Sequence, residues 1–153
     1  MTPRVGILAI LIGLLGTGCA EDVTPARDPV GLYRIDRTDY AVRLWQAGDP
    51  ARAGKRPAAK DETWEAARKT AAGVTLRADV RADGTFVVSY RFGKERGTGR
   101  GAWTQDDDAL TMRITHDAAG PVKRGASVTA TIEDAGLRFE GWPVPHAFLL
   151  RRE

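Results

Sequence analysis

Two periods of apolar residues divide this chain. From Val74 onward every second position is apolar: Val74, Leu76, Ala78 and Val80 alternate with Thr75, Arg77 and Asp79. Phe86, Val88, Tyr90 and Phe92 alternate in the same way with Thr85, Val87, Ser89 and Arg91. Alternation of this kind describes strands with one buried face. Ahead of it, Val30 to Ile35 predicts a first strand, because Val30, Tyr33 and Ile35 favour extended backbone. Helical spacing follows. Asp39 is placed to cap a helix carrying Ala41, Leu44 and Trp45 on one face, with Gly48 closing it. A second helix is predicted from Glu62 to Ala72, capped by Asp61 and ended by Gly73 in the left-handed conformation. Between them, Asp49 to Lys60 reads as an exposed loop.

Turn chemistry then sets the pairing. With Ala82-Asp83-Gly84 as a three-residue loop, Val80 faces Phe86 and Ala78 faces Val88, so both apolar sets share one side. This predicts a type I turn with Gly84 left-handed, forming a bulge. Pairing Phe92 with Gly97 next brings Tyr90 over Gly99, Val88 over Gly101 and Phe86 over Trp103. Glycines there leave room for bulky neighbours. Trp103 pairs onward with Met112 and Gly101 with Ile114, across a turn at Asp107-Asp108. A longer loop, Asp117 to Ala126, precedes Val128, Ala130 and Ile132, which return against Leu137 and Phe139 through a turn at Asp134 to Gly136. Phe148 and Leu150 belong to a further strand. The chain is therefore mainly β: about eight short antiparallel strands in an up-and-down meander or small closed barrel, with a two-helix insertion (about 38–73) after the first strand.

The N-terminal pattern is different again. Arg4, an apolar run from Val5 to Leu15, and Gly16-Thr17-Gly18-Cys19 make a basic start, an apolar stretch and a small-residue cleavage site. The run is too short for a membrane helix, which needs roughly 20 apolar residues. Small residues directly before the single cysteine resemble the lipobox of bacterial lipoproteins. Gly16 stands where leucine is usual in that motif, with Leu15 one position early. The resemblance implies acylation of the Cys19 thiol and removal of residues 1–18 as a signal peptide; the alternatives are an ordinary cleaved signal and an uncleaved anchor. Residues 19–29, with Pro25, Pro29 and several charges, then read as a lipidated cysteine and flexible tether, and 30–153 as one domain of a size that supports a single core.

The strand motifs carry a second resemblance. Gly31-Leu32-Tyr33, Ala82-Asp83-Gly84-Thr85-Phe86, Gly101-Ala102-Trp103 and Asp108-Ala109-Leu110-Thr111-Met112 resemble the repeated G-x-[WY] and D-G-[TS]-F patterns of the lipocalin-like lipoproteins of bacteria. That likeness implies a lipocalin-like barrel and an envelope address more than an activity. The helical insert departs from true lipocalins, which run directly from first strand to second.

Composition narrows the chemistry. Charged residues are 28% and the net charge is only +3, with 23 basic against 20 acidic residues, so no basic stripe with stacking aromatics points to nucleic acid. With one cysteine, committed to the lipid site, no internal disulfide is available. His116 and His146 are the two histidines, and neither sits in a zinc-ligand spacing. Ser89 and Ser127 lie in or beside strands, without a nucleophile elbow. Asp106-Asp107-Asp108 reads as a turn rather than a calcium loop, and Gly97 to Gly101 is followed by strand rather than by the helix a phosphate loop opens. The expectation is a protein that is not an enzyme and holds no cofactor or metal.

Two features point to binding. Phe86, Tyr90, Phe92, Trp103 and Phe139 are expected to face one interior, as core or as the lining of a pocket for a small apolar ligand. Arg52, Lys55 and Arg56, with Lys60, form a basic loop suited to anionic headgroups or wall polymers, where each basic residue near an anionic surface is worth about 1 kcal/mol. The reading is a lipid-anchored bacterial envelope protein, placed at the outer membrane by analogy because Ala20 is not an inner-membrane retention aspartate. It would act as a binding or interaction module, with membrane, a small ligand or an envelope protein as partner and no nucleic acid. The alternatives are a purely structural envelope component or a hydrolase with an unrecognised site.

Overall fold

Alternation in the sequence becomes burial in the structure. Leu76, Ala78 and Val80 on β2 (Thr75–Val80) and Phe86 and Val88 on β3 (Thr85–Phe92) are each at most 2% exposed, while Arg77 and Ser89 point to solvent. The same parity carries the core through β1 (Gly31–Ile35), β5 (Ala109–Asp117), β6 (Gly120–Glu133), β7 (Gly136–Phe139) and β8 (Phe148–Arg152). A computed structural model supplies this description for residues 27–118 and 120–153, side chains of 121–125 excepted. The expected signal peptide, Cys19 and the expected tether as far as Ala26 lie outside the described residues.

With β4 (Glu95–Asp106), the eight strands form a closed antiparallel barrel in sequence order. Closure comes from β1 pairing with β8, with Tyr33 opposite Arg152 and Ile35 opposite Leu150. The architecture is consistent with a lipocalin-like fold. Its interior is filled by side chains, as expected where eight strands leave little more than their width. Phe139 and Phe148 stack there with centroids 5.1 Å apart.

The β2–β3 hairpin has the expected register, Val80 opposite Phe86 and Ala78 opposite Val88, with Gly84 at φ 80°. Trp103 opposite Met112 and Ile132 opposite Leu137 also agree. The β3–β4 hairpin differs by two residues. Phe92 faces Glu95 rather than Gly97, so Tyr90 lies opposite Gly97, Val88 opposite Gly99 and Phe86 opposite Gly101. The turn is only Gly93-Lys94, with Gly93 at φ 59° supplying the conformation a tight hairpin needs. A slip of two keeps every side chain on its face, so alternation alone could not distinguish the two registers. The expected loop from Asp117 to Ala126 is mostly strand: β6 starts at Gly120, and its ladder with β5 absorbs the extra residues as an irregularity between Ile114 and His116.

Both helices lie between β1 and β2. Helix α1 (Arg37–Ala47) is capped by Asp36, not Asp39: the Asp36 carboxylate accepts from the Thr38 and Asp39 amides at 2.9 and 3.1 Å. Asp39, three residues in, instead pairs with Arg138 of β7 at 2.6 Å. Helix α2 (Glu62–Ala72) has the expected bounds and the expected cap, Asp61. Gly73 is right-handed (φ −78°, ψ −8°), ending the helix with a tightened turn in which its N–H reaches the Thr70 carbonyl at 3.1 Å. Within the connecting loop Pro50–Arg52 forms one 3-10 turn.

Up-and-down topology gives the barrel two unlike ends. At one end the chain arrives at β1, beside the turns at 81–84, 107–108 and 134–135. At the other lie both helices, the Gly93-Lys94 turn and the β7–β8 loop. Arg27, Asp28 and Pro29, expected in the tether, are tied down at the first end. Arg27 pairs with Asp134 at 2.9 Å, Arg152 donates to the Asp28 carbonyl at 2.6 Å, and Tyr33 Oη donates to the Pro29 carbonyl at 2.7 Å.

Candidate functional site

Glycine shapes the helix end. On β4, Gly97 and Gly99 present no side chain, and two aromatic rings take the space. Tyr90 lies across Gly97, where a Cβ would come within 2.6 Å of its hydroxyl, and Trp142 lies across Gly99, where a Cβ would stand 3.0 Å from its ring. Trp142 belongs to the β7–β8 loop. Two residues on, Val144 is 1% exposed, and the Pro145 carbonyl accepts a hydrogen bond from Tyr40 of α1 at 3.0 Å. Helix and loop together plug this end of the barrel. Tyr40 itself is fully buried, and burial pushes its phenol pKa up.

The five aromatic residues singled out from the sequence all belong to the one interior, Tyr90, Phe92 and Trp103 packing against the core that holds Phe86 and Phe139, but they spread along it from end to end. Phe86 and Phe139 are core, at 0% and 2% exposure. Tyr90 and Phe92 are partly buried near the helix end. Trp103 is at the opposite end, where its indole donates to the Arg81 carbonyl at 3.0 Å and its backbone N–H to that of Gly84 at 2.8 Å.

The basic loop divides as well. Arg52 turns inward: its guanidinium lies 5.0 Å from the Trp45 ring centre and donates to the Trp45 carbonyl at 3.2 Å. Lys55, Arg56 and Lys60 remain exposed. Next to them, Asp61 holds its pKa down at about 2, chiefly through the 2.6 Å hydrogen bond from the Thr63 hydroxyl, aided by the Trp45 indole and two amides.

The other chemical candidates are dispersed. Ser89 and Ser127 are exposed, and His116 has the Thr115 hydroxyl 3.1 Å from Nδ1. Among the described residues no three His, Cys, Asp or Glu side chains converge as metal ligands. Asp107 and Asp108 make the β4–β5 turn, Asp107 at φ 50°.

One group escaped the sequence reading. On the outer face, Arg34 of β1 lies opposite Arg77 of β2 and, on its other side, opposite Arg151 of β8. These residues, with Arg37 and Asp36, line a surface groove of about 390 Å³. Burial raises the Asp36 pKa, but the hydrogen bond from Arg151 at 2.5 Å and the capping amides outweigh it and bring the pKa below its ordinary value. Each arginine is an ordinary polar position in its own strand; only the pairing of three strands makes a row of them. Charge is distributed accordingly. The end where the chain arrives is rich in acids (Asp83, Asp106, Asp107, Asp108, Asp134, Glu153), and the arginine row and the α1–α2 loop lie toward the other.

Comparison of the chain with protein-family models, with curated proteins and with solved structures finds no match.

Proposed function

We propose that this chain is a lipid-anchored bacterial envelope protein, a lipocalin-like lipoprotein acting as a binding module through the outer surface of its barrel. The observation that carries the anchor is the apolar run ending in Gly16-Thr17-Gly18-Cys19, and the docking of Arg27 to Pro29 at the acidic end of the barrel gives the anchored domain an orientation. From Cys19 to Arg27 is a span of at most roughly 28 Å in fully extended chain. An acyl group on Cys19 would therefore hold that end toward the membrane and present the helices, the α1–α2 loop and the arginine row away from it. The filled interior supports recognition on the outside rather than within.

Expression of the full chain in a bacterium that processes lipoproteins, followed by intact-mass analysis of the membrane fraction, tests the anchor. The expected product begins at Cys19 and carries acyl mass, whereas Cys19→Ala leaves the membrane fraction or keeps residues 1–18. An unacylated native chain, or equal membrane retention of Cys19→Ala after loss of its signal, would overturn the reading.

A further inference from the structure

We infer that the row Arg77–Arg34–Arg151 is a binding site for a phosphate group carrying two negative charges. Residues directly opposite in an antiparallel pair have Cβ atoms about 4.5–5.5 Å apart, and like charges so placed destabilise the sheet. Here β1 is flanked on both sides, so three guanidinium groups share one strip. Two neighbours are already engaged. Arg151 is bonded to Asp36, and Arg37 donates Nε to the Val74 carbonyl at 3.0 Å. The side chains of Arg34 and Arg77 have no hydrogen-bond or ion-pair partner among the described residues. The groove between them thus sets four guanidinium groups against one carboxylate. Its volume of about 390 Å³ suits a headgroup-sized ligand.

The residue type selects the ligand. Guanidinium offers paired N–H donors in a plane that matches two oxygens of a phosphate, and several such forks favour a dianion over a monovalent carboxylate. The dianion would cancel the repulsion that the row carries when empty. A phosphorylated lipid headgroup and a free phosphorylated solute share this chemistry. The proposal names the ligand class of the binding module proposed above. It does not depend on acylation of Cys19, so failure of phosphate binding and failure of the anchor are read separately.

The test is calorimetric titration of the full chain, in mild detergent at constant ionic strength, with inorganic pyrophosphate, glycerol 3-phosphate and dihexanoyl phosphatidate. Saturable binding is expected, weakened at least tenfold in the double variant Arg34→Gln/Arg77→Gln and less in Arg34→Lys/Arg77→Lys, which keeps charge but loses the forks. Lys94→Gln/Arg96→Gln, exposed on the β3–β4 hairpin and outside the groove, should bind like the parent. Tighter binding of the phosphatidate than of glycerol 3-phosphate would assign a lipid headgroup; equal binding would assign a free solute. No saturable binding, or equal affinity in the folded Arg34→Gln/Arg77→Gln variant, would overturn the proposal.

Discussion

The indole of Trp45 donates its N–H to Asp61 at 2.9 Å, on the carboxylate that also caps α2. One side chain therefore starts the second helix and clamps it to the first. Its other oxygen accepts from the Thr63 amide at 2.9 Å and the Trp64 amide at 3.2 Å. The α1–α2 unit is inserted between two neighbouring strands, so its internal geometry depends on contacts of this kind.

Stability at low pH should report this clamp. Asp61 titrates at about 2 in the folded protein, below its ordinary value of 3.8, so the folded state favours the charged form. The sign follows from linkage: the contribution is complete above the unfolded pKa and is lost as pH falls from near 4 toward 2. Asp61→Asn keeps a good capping acceptor but no longer titrates. Urea unfolding of both proteins between pH 7 and pH 2 should show a smaller acid loss in the variant. Parallel curves would refute the assignment.

Glycines on and near the barrel should differ sharply when replaced by alanine. At Gly101, where the β4–β5 register shifts, a Cβ would lie 1.9 Å from the Arg113 carbonyl oxygen, and rigid ladder backbone has to move. Gly101→Ala is expected to cost about 3 kcal/mol or more, at the upper end of overpacking effects. At Gly99 the obstacle is the Trp142 ring, which can withdraw, so the cost should be about 1 kcal/mol. Gly54→Ala meets open space and pays only for its left-handed backbone at φ 70°, about 1 kcal/mol. Chemical denaturation should set Gly101→Ala apart from the other two; a Gly101→Ala protein as stable as Gly54→Ala would contradict the register described for β4 and β5.

Removing one charge from the arginine row should stabilise the protein in the absence of ligand. Arg34 is exposed and faces an arginine on either side. Arg34→Gln is expected to gain about 0.5 kcal/mol at low salt, within the range of cross-strand charge effects. The gain should shrink as salt screens the parent's repulsion. Thermal melts of parent and variant at 10 mM and 500 mM salt check this, and a destabilised variant at low salt would mean Arg34 is held by a favourable contact.

What could be read from the residues depended on how many alternatives the local chemistry left open. At Ala82-Asp83-Gly84 a change of one residue would have put the two apolar sets on opposite faces, so the register was determined. At Gly93-Lys94 the competing registers differed by two and left the faces alike, so the sequence could not choose. Asp36 and Asp39 are equally good capping residues in isolation. The choice between them came from distant partners, Arg151 for Asp36 and Arg138 for Asp39. The plug was invisible for the same reason, since Trp142 has its partner on β4. The arginine row is the extreme case: Arg34 and Arg151 meet only because β1 and β8 pair, a contact no local pattern announces.

That same closing seam bears on how the molecule comes into being. Asp36 and Arg151 are joined across 115 residues of chain, and β1 finds its second neighbour only in β8. Bringing such distant segments together is entropically slow and rewards the chain late. A ribosome releasing this polypeptide would have extruded seven of the eight strands before the hoop could be stitched shut. Until then β1 waits with an open flank, and the polypeptide stays threadable for nearly the whole of its synthesis.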